Sequence, residues 1–199
     1  MTLRIGITGG IGSGKTTIAR IFETLRIPVY YADDAAKKIM NEDDSLKKQI
    51  IQHFGSEAYK EGKLDREYLS ALVFRDSRRL TLLNSIVHPA TIRNSNRWMK
   101  EQSGPYALRE AALIFESGVQ GQLDYVIGVS APAELRIRRA MERDGISREK
   151  VLERMARQIN ESIKMKLCDF IIVNDERQPV IPQVLQLHRQ LIAISSTLP

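Results

Sequence analysis

"GITGGIGSGKTT" runs from Gly6 to Thr17, directly after the apolar opening "MTLRI". It fits G-x-x-x-x-G-K-[ST] with Gly9, Gly14, Lys15 and Thr16. At ordinary residue frequencies that pattern arises by chance in a chain this long with a probability on the order of one in a hundred. Its setting narrows the odds further. A strand-like run, "LRIGIT" (3–8), precedes it, and Ile18, Ile21, Phe22 and Leu25 behind it have the spacing of one helix face. Between such elements, glycines let backbone N–H groups converge on an anion while the helix N-terminus adds positive potential. Lys15 then reaches the β- and γ-phosphates, and the Thr16 hydroxyl can ligate Mg²⁺. A dinucleotide-binding loop fits less well, because Gly10 and Gly12 do not complete G-x-G-x-x-G and Lys15 would have no role.

Outward from the loop, the remaining strand-like runs are "PVYYA" (28–32), "YALREAAL" (106–113), "YVIGVS" (125–130) and "FIIVN" (170–174). They are continuously apolar rather than alternating, and helical patterns fill the intervals. That combination predicts an α/β fold, a parallel sheet covered on both faces and joined by right-handed crossovers. The interval 33–104 shows no convincing strand. It reads as a helical insertion, with Asp65 as N-cap of "REYLSALVF", Pro89 as a kink or start in a long helix, and Phe54, Tyr59, Tyr68 and Phe74 as its core.

At 199 residues and 43% hydrophobic content, the chain is expected to form one domain with an insertion. Its formal charge of +6 suits an acidic or phosphate-rich partner. Cys168 is the sole cysteine, and no signal pattern or membrane-length apolar run appears, so a soluble protein of the reducing cytoplasm is expected. With no RNA-recognition signature or basic tail, and with acids interspersed among the cations, nucleic acid is not the expected partner.

A phosphate loop says what is bound, not where the phosphoryl group goes. Asp33 and Asp34 follow the second predicted strand, and in open α/β sheets ligands collect at the strands' carboxyl ends. A carboxylate there can orient and deprotonate an acceptor hydroxyl. An aspartate after a strand can equally cap the next helix; Asp33 is expected as the base and Asp34 as the cap.

With these residues in place, the sequence resembles the dephospho-CoA kinases, a P-loop kinase family that phosphorylates the ribose 3′-hydroxyl of dephospho-coenzyme A with ATP. The resemblance runs from about residue 5 to residue 176. It is carried by "GITGGIGSGKTT", "YADDAAK", "LLNSIVHP", "AALIFESG", "RIRRAMERDGISREKVLERMARQ" and "KLCDFIIVND". It implies a P-loop kinase fold with a five-stranded parallel sheet, a nucleotide-binding core at 1–32, 105–135 and 168–199, an acceptor-binding insertion at 33–104 and a lid at 136–167. It further implies ATP held by Gly9, Gly10, Gly12, Ser13, Gly14, Lys15, Thr16 and Thr17, with Arg139 and Arg143 closing from the lid and Asn174 beside the adenine. Asp33 and Lys15 would be catalytic, Thr8, Asp33, His88, Arg93 and Glu116 would face the acceptor, and Mg²⁺ would rest on Thr16. Tyr31 replaces the first aspartate of the family's D-A-D segment, Ala112 the proline before L-L-F-E, and Arg136 a common glutamine. Tyr31 counts against a two-carboxylate metal site there, leaving Thr16 and the nucleotide phosphates as the expected Mg²⁺ ligands, with Asp33 acting through water.

Some of this is legible without the family. Arg136, Arg139 and Arg143 share one helical face at spacings of three and four, and clustered cations repel unless an anion joins them. Glu134 and Arg138 have the spacing of an i, i+4 surface pair, and Gly145 the place of a hinge before a helix starting near Ser147. His88, followed by a helical run containing Arg93, can hydrogen-bond a substrate hydroxyl or phosphate. The alternatives from residues alone are another small-molecule or nucleoside monophosphate kinase, or a nucleotide-dependent switch.

Overall fold

The structure is a computed structural model, described over residues 2–74 and 76–197; the side chain of Phe74, expected in the insertion core, lies outside the described residues. The chain divides into two compact units, residues 1–31 with 99–199, and Ala32–Trp98.

In chain order the elements are β1 (Leu3–Thr8), α1 (Lys15–Thr24), β2 (Val29–Tyr31), α2 (Ala32–Glu42), α3 (Asp44–Phe54), β3 (Tyr59–Lys60), β4 (Lys63–Leu64), α4 (Arg66–Phe74) and α5 (Ser77–Lys100). They continue with β5 (Tyr106–Glu110), β6 (Tyr125–Ser130), α6 (Ala133–Asp144), α7 (Arg148–Ala156), α8 (Glu161–Lys166), β7 (Phe170–Val173) and α9 (Val180–Thr197).

The first unit holds a five-stranded sheet in the order β2-β5-β1-β6-β7, every pair parallel. Parallel neighbours need crossovers that carry helices onto the faces, so central strands are buried on both sides. All of β5 is buried accordingly. Ile5, Ile7, Leu108, Ile127 and Val129 meet Ile18 and Phe22 of α1 and Val184, Leu187 and Leu191 of α9 in one apolar cluster. Burying side chains of this size contributes about 1.5–3 kcal/mol each. A smaller cluster joins α6 to α7 through Ile137, Ala140 and Val151, with Ile11 packed against it.

The second unit has its own core, in which Leu46, Ile50, Phe54, Leu69 and Val87 are buried, with Tyr59 and Tyr68 packed against them. Their hydroxyls donate to the carbonyls of Met40 and Phe54. Asp65 caps α4, its carboxylate accepting from the Tyr68 amide at 3.0 Å.

Several expectations need correction. The interval 33–104 does hold strand, the short antiparallel hairpin of β3 and β4. Its tip places Glu61 and Gly62 at positive φ, and two-residue strands leave no periodicity to detect. The strand expected over 106–113 stops at Glu110, and residues 112–118 form turns. α2 begins at Ala32, so Asp33 and Asp34 both lie in its first turn; Asp34 pairs with Lys37 at 2.6 Å instead of capping. Pro89 lies inside the long helix α5, so of its two expected roles the helix start does not hold. Among the described residues no helix is long and apolar enough to cross a membrane.

Candidate active site

β1 ends at the buried Thr8, and the chain then turns through residues 9–14 before α1 begins at Lys15. The turn is possible because Gly12 and Gly14 adopt φ of 75° and 88°, where side chains are strained. Space is equally limiting. A Cβ on Gly12 would strike the Arg136 carbonyl, and one on Gly14 would strike the Asn174 amide. Neighbouring elements brace the loop from outside: Asn174 Nδ2 donates to the Ser13 carbonyl at 2.9 Å, and the Ile11 amide donates to Gln158 Oε1 at 3.0 Å. Ser13 Oγ is buried without a hydrogen-bond partner.

At the start of α1 two side chains meet one carboxylate. The Thr16 hydroxyl donates to Glu110 Oε1 at 3.1 Å, and Lys15 Nζ stands 3.6 Å from the same oxygen. Glu110 is 3% exposed and ends β5, the strand beside β1, so the sheet itself carries it to the loop. Thr8 is turned to the Ala112 carbonyl, 3.2 Å away.

The segment after β5 is tied to α8. Lys164, with 0% exposure, donates to the Ala112 carbonyl at 3.0 Å and pairs with Glu116 Oε1 at 2.9 Å. That Glu116 oxygen also accepts from the Ile159 amide. A buried ammonium is tolerated only with such partners. A second pair, Arg136 Nη1 to Glu161 Oε2 at 3.0 Å, joins α6 to α8 beside Gly10, where a Cβ would collide with the guanidinium.

The expected arginine face divides. Arg136 is buried, Arg139 reaches the Asn174 carbonyl and Glu176 at 3.1 Å each, and Arg143 grips Asp144 through Nε and Nη2. The i, i+4 pair of Glu134 and Arg138 does not form. Glu134 takes a bidentate contact from Arg148, and Arg138 pairs with Glu176, since partners from α7 and the β7–α9 loop present better geometry. Gly145, at φ 62°, is the left-handed C-cap of α6, its amide bonded to Met141.

Asp33, His88 and Arg93 belong to the second unit, Asp33 in the first turn of α2 and the others on α5. Arg93 and Arg97, one helical turn apart, line a cleft of about 450 Å³ with Asn94, Ile39, Glu42 and Asp43.

The family profile described as CoaE, dephospho-CoA kinase, matches residues 3–179. The chain belongs to the dephospho-CoA kinase family. It is 37% identical over 186 residues to the dephospho-CoA kinase of Porphyromonas gingivalis, covering 93% of this chain and 92% of that one. Among solved structures, the dephospho-CoA kinase of Campylobacter jejuni superimposes with a TM-score of 0.70 at 30% identity, over 99% of this chain and 100% of the other. A Thermus thermophilus protein gives a TM-score of 0.79 at 34% identity, with 97% of each chain covered.

In this family member the residue that sequence reasoning missed is Glu110. Its signal was present, a carboxylate closing a buried strand, but extending that strand to Leu113 hid the carboxyl end. Lys164 and Glu161 were missed because their partners lie far off in sequence. Among the described residues no three or more His, Cys, Asp or Glu side chains converge. A kinase does not need such a cage. Mg²⁺ takes hard oxygen donors, keeps several waters and leans on substrate phosphates, and the Thr16 hydroxyl beside the Glu110 carboxylate suits that mode.

Proposed function

We propose that this chain transfers the γ-phosphoryl group of ATP to the ribose 3′-hydroxyl of dephospho-coenzyme A, yielding coenzyme A and ADP. The observation that carries the reading is the convergence of Lys15, Thr16 and Glu110 at the mouth of the phosphate loop. Residues 9–17 cradle the ATP phosphates through backbone N–H groups, among them those of Gly9, Gly10, Gly12, Ser13, Gly14 and Thr17. Lys15 shifts from Glu110 to the β- and γ-phosphates. Thr16 and Glu110 would hold Mg²⁺, which would supply positive charge against that on the phosphates. Asn174, braced between Ser13 and Arg139, borders the adenine. Arg139 and Arg143 leave their resting carboxylates to neutralise charge on the transferring group.

Asp33 accepts the proton of the 3′-hydroxyl and aligns it for in-line attack, with Thr8, His88, Arg93 and Glu116 on the acceptor side. A reducing cytoplasm is the proposed compartment, in keeping with the free thiol of Cys168. The test is purified protein with Mg-ATP, offered dephospho-coenzyme A or a panel of nucleoside monophosphates, with products identified by mass. Coenzyme A is the expected product. Phosphorylation of a nucleoside monophosphate with none of dephospho-coenzyme A overturns the assignment.

A further inference from the structure

β5 carries two charged residues in succession, and they turn opposite ways. Glu110 faces Lys15 and Thr16, and because side chains alternate along a strand, Arg109 points to the other face of the sheet. Its register neighbours are Tyr30 on β2 and Gly6 on β1. Over Gly6 that face is closed by Leu123 and Ile114, which leave no room for a Cβ. Arg109 is 4% exposed. Its Nε has no hydrogen-bond partner, and among the described residues no carboxylate forms an ion pair with it.

A guanidinium cannot shed its charge within the physiological range, so it cannot escape burial as lysine or histidine does. Burial pushes Arg109 below its ordinary value, and Tyr30 acts in the opposite direction without overcoming it. An uncompensated buried cation is costly, and apolar side chains of similar volume serve as well or better in a core. Among the described residues, every other buried cation of the first unit has an acidic partner: Arg136 has Glu161 and Lys164 has Glu116. Arg109 also stands one residue from the carboxyl end of its strand, at the sheet edge where ligands of open α/β folds collect.

We propose that Arg109 is the protein half of a phosphate-binding site whose counter-charge arrives with a substrate. The inference rests on the chain being a kinase of phosphate-bearing substrates. The ligand chemistry is a phosphate oxyanion, which the fork of the guanidinium fits with two parallel hydrogen bonds. Two substrates bring that group: ATP through its triphosphate and dephospho-coenzyme A through its diphosphate. Arg109 is thus a binding residue with no structural duty in the ligand-free protein.

Calorimetric titration of the wild type, Arg109→Met and Arg109→Lys with dephospho-coenzyme A and, separately, with a non-hydrolysable ATP analogue tests this, together with thermal melts of each ligand-free protein. The expected result is that Arg109→Met weakens one of the two ligands by about 30-fold or more, the scale of losing a buried charge contact, and leaves the other within threefold. The weakened ligand names the source of the phosphate. Ligand-free Arg109→Met should melt at or above the wild-type temperature, because an unpaired buried charge has been removed. Arg109→Lys should bind that ligand more weakly than wild type but better than Arg109→Met. Unchanged affinity for both ligands overturns the proposal, as does a large drop in ligand-free melting temperature or failure of both variants to fold, since either marks a structural arginine. Wild-type turnover of dephospho-coenzyme A is read independently, so a kinase that makes coenzyme A while Arg109→Met binds normally removes this site and leaves the function standing.

Discussion

Thr16 and Glu110 are 94 residues apart in sequence and share a 3.1 Å hydrogen bond, the hydroxyl of the first turn of α1 donating to the last carboxylate of β5. Lys15 stands over the same oxygen. The loop therefore has its lysine and its threonine hydroxyl gathered on one buried acid. Under the proposed function, that acid holds the Thr16 hydroxyl where it would meet the metal and keeps Lys15 within reach of the phosphates.

Glu110→Gln keeps an acceptor for Thr16 but removes the charge that faces Lys15. Turnover is expected to fall by about a hundredfold, the scale of losing one preorganised electrostatic contact, with half-saturation by Mg²⁺ moved to higher concentration. Steady-state kinetics across a Mg²⁺ titration checks this. Wild-type turnover at ordinary Mg²⁺ would remove Glu110 from the machinery.

Asp33 and Asp34 sit side by side in the first turn of α2, where only the base hypothesis separates them. Asp33→Asn should lower turnover by roughly a hundredfold or more while ATP affinity survives. Asp34, exposed and paired only with Lys37 among the described residues, should tolerate Asn with a stability change within about 0.5 kcal/mol and near-normal activity. Equal losses in the two variants would point to a shared helix-end effect and against a base.

Glu116→Gln leaves the fully buried Lys164 without its anionic partner, and breaking such a pair costs about 3–5 kcal/mol. Adding Lys164→Met should recover much of that, because the buried cation is gone and no lone buried charge remains. Urea unfolding of the two single variants and the double variant gives the coupling. A cost below about 1 kcal/mol for Glu116→Gln alone contradicts the pairing of buried Lys164.

The fully buried Tyr106 has its hydroxyl 2.6 Å from Nδ1 of His188 on α9. Burial lowers the His188 value below its ordinary 6.5, with Arg189 acting the same way. A folded value below the unfolded one means that the unfolded chain binds the proton more readily. Stability from this site is thus fully present above pH 6.5 and is lost as pH falls through the folded value. Melting temperatures between pH 5 and pH 8 should show a decline on the acid side that His188→Gln removes; an identical pH profile in that variant contradicts the assignment.

The phosphate loop was legible because its demands are local. Positive φ at Gly12 and Gly14, a lysine and a hydroxyl at the start of α1, and an apolar strand before them are all written within a few residues. So were the five strands of the sheet, marked by continuously apolar runs, which burial on both faces requires of the central ones. The α4 cap at Asp65 belongs with them, being a bond across three residues. What spacing along one helix suggested was less secure: Glu134 and Arg138 had the right separation and still took partners from other elements. A surface pair of that kind is worth only tenths of a kcal/mol, so any well-placed outside partner displaces it. Only the tertiary structure decided that β5 lies between β2 and β1, and with that order came everything β5 carries. It placed Glu110 against the loop, left Arg109 buried on the opposite face, and brought Lys164 under the turns that follow. Such contacts depend on which strands become neighbours, a choice made by the burial of whole faces at once and not by any residue's local preference.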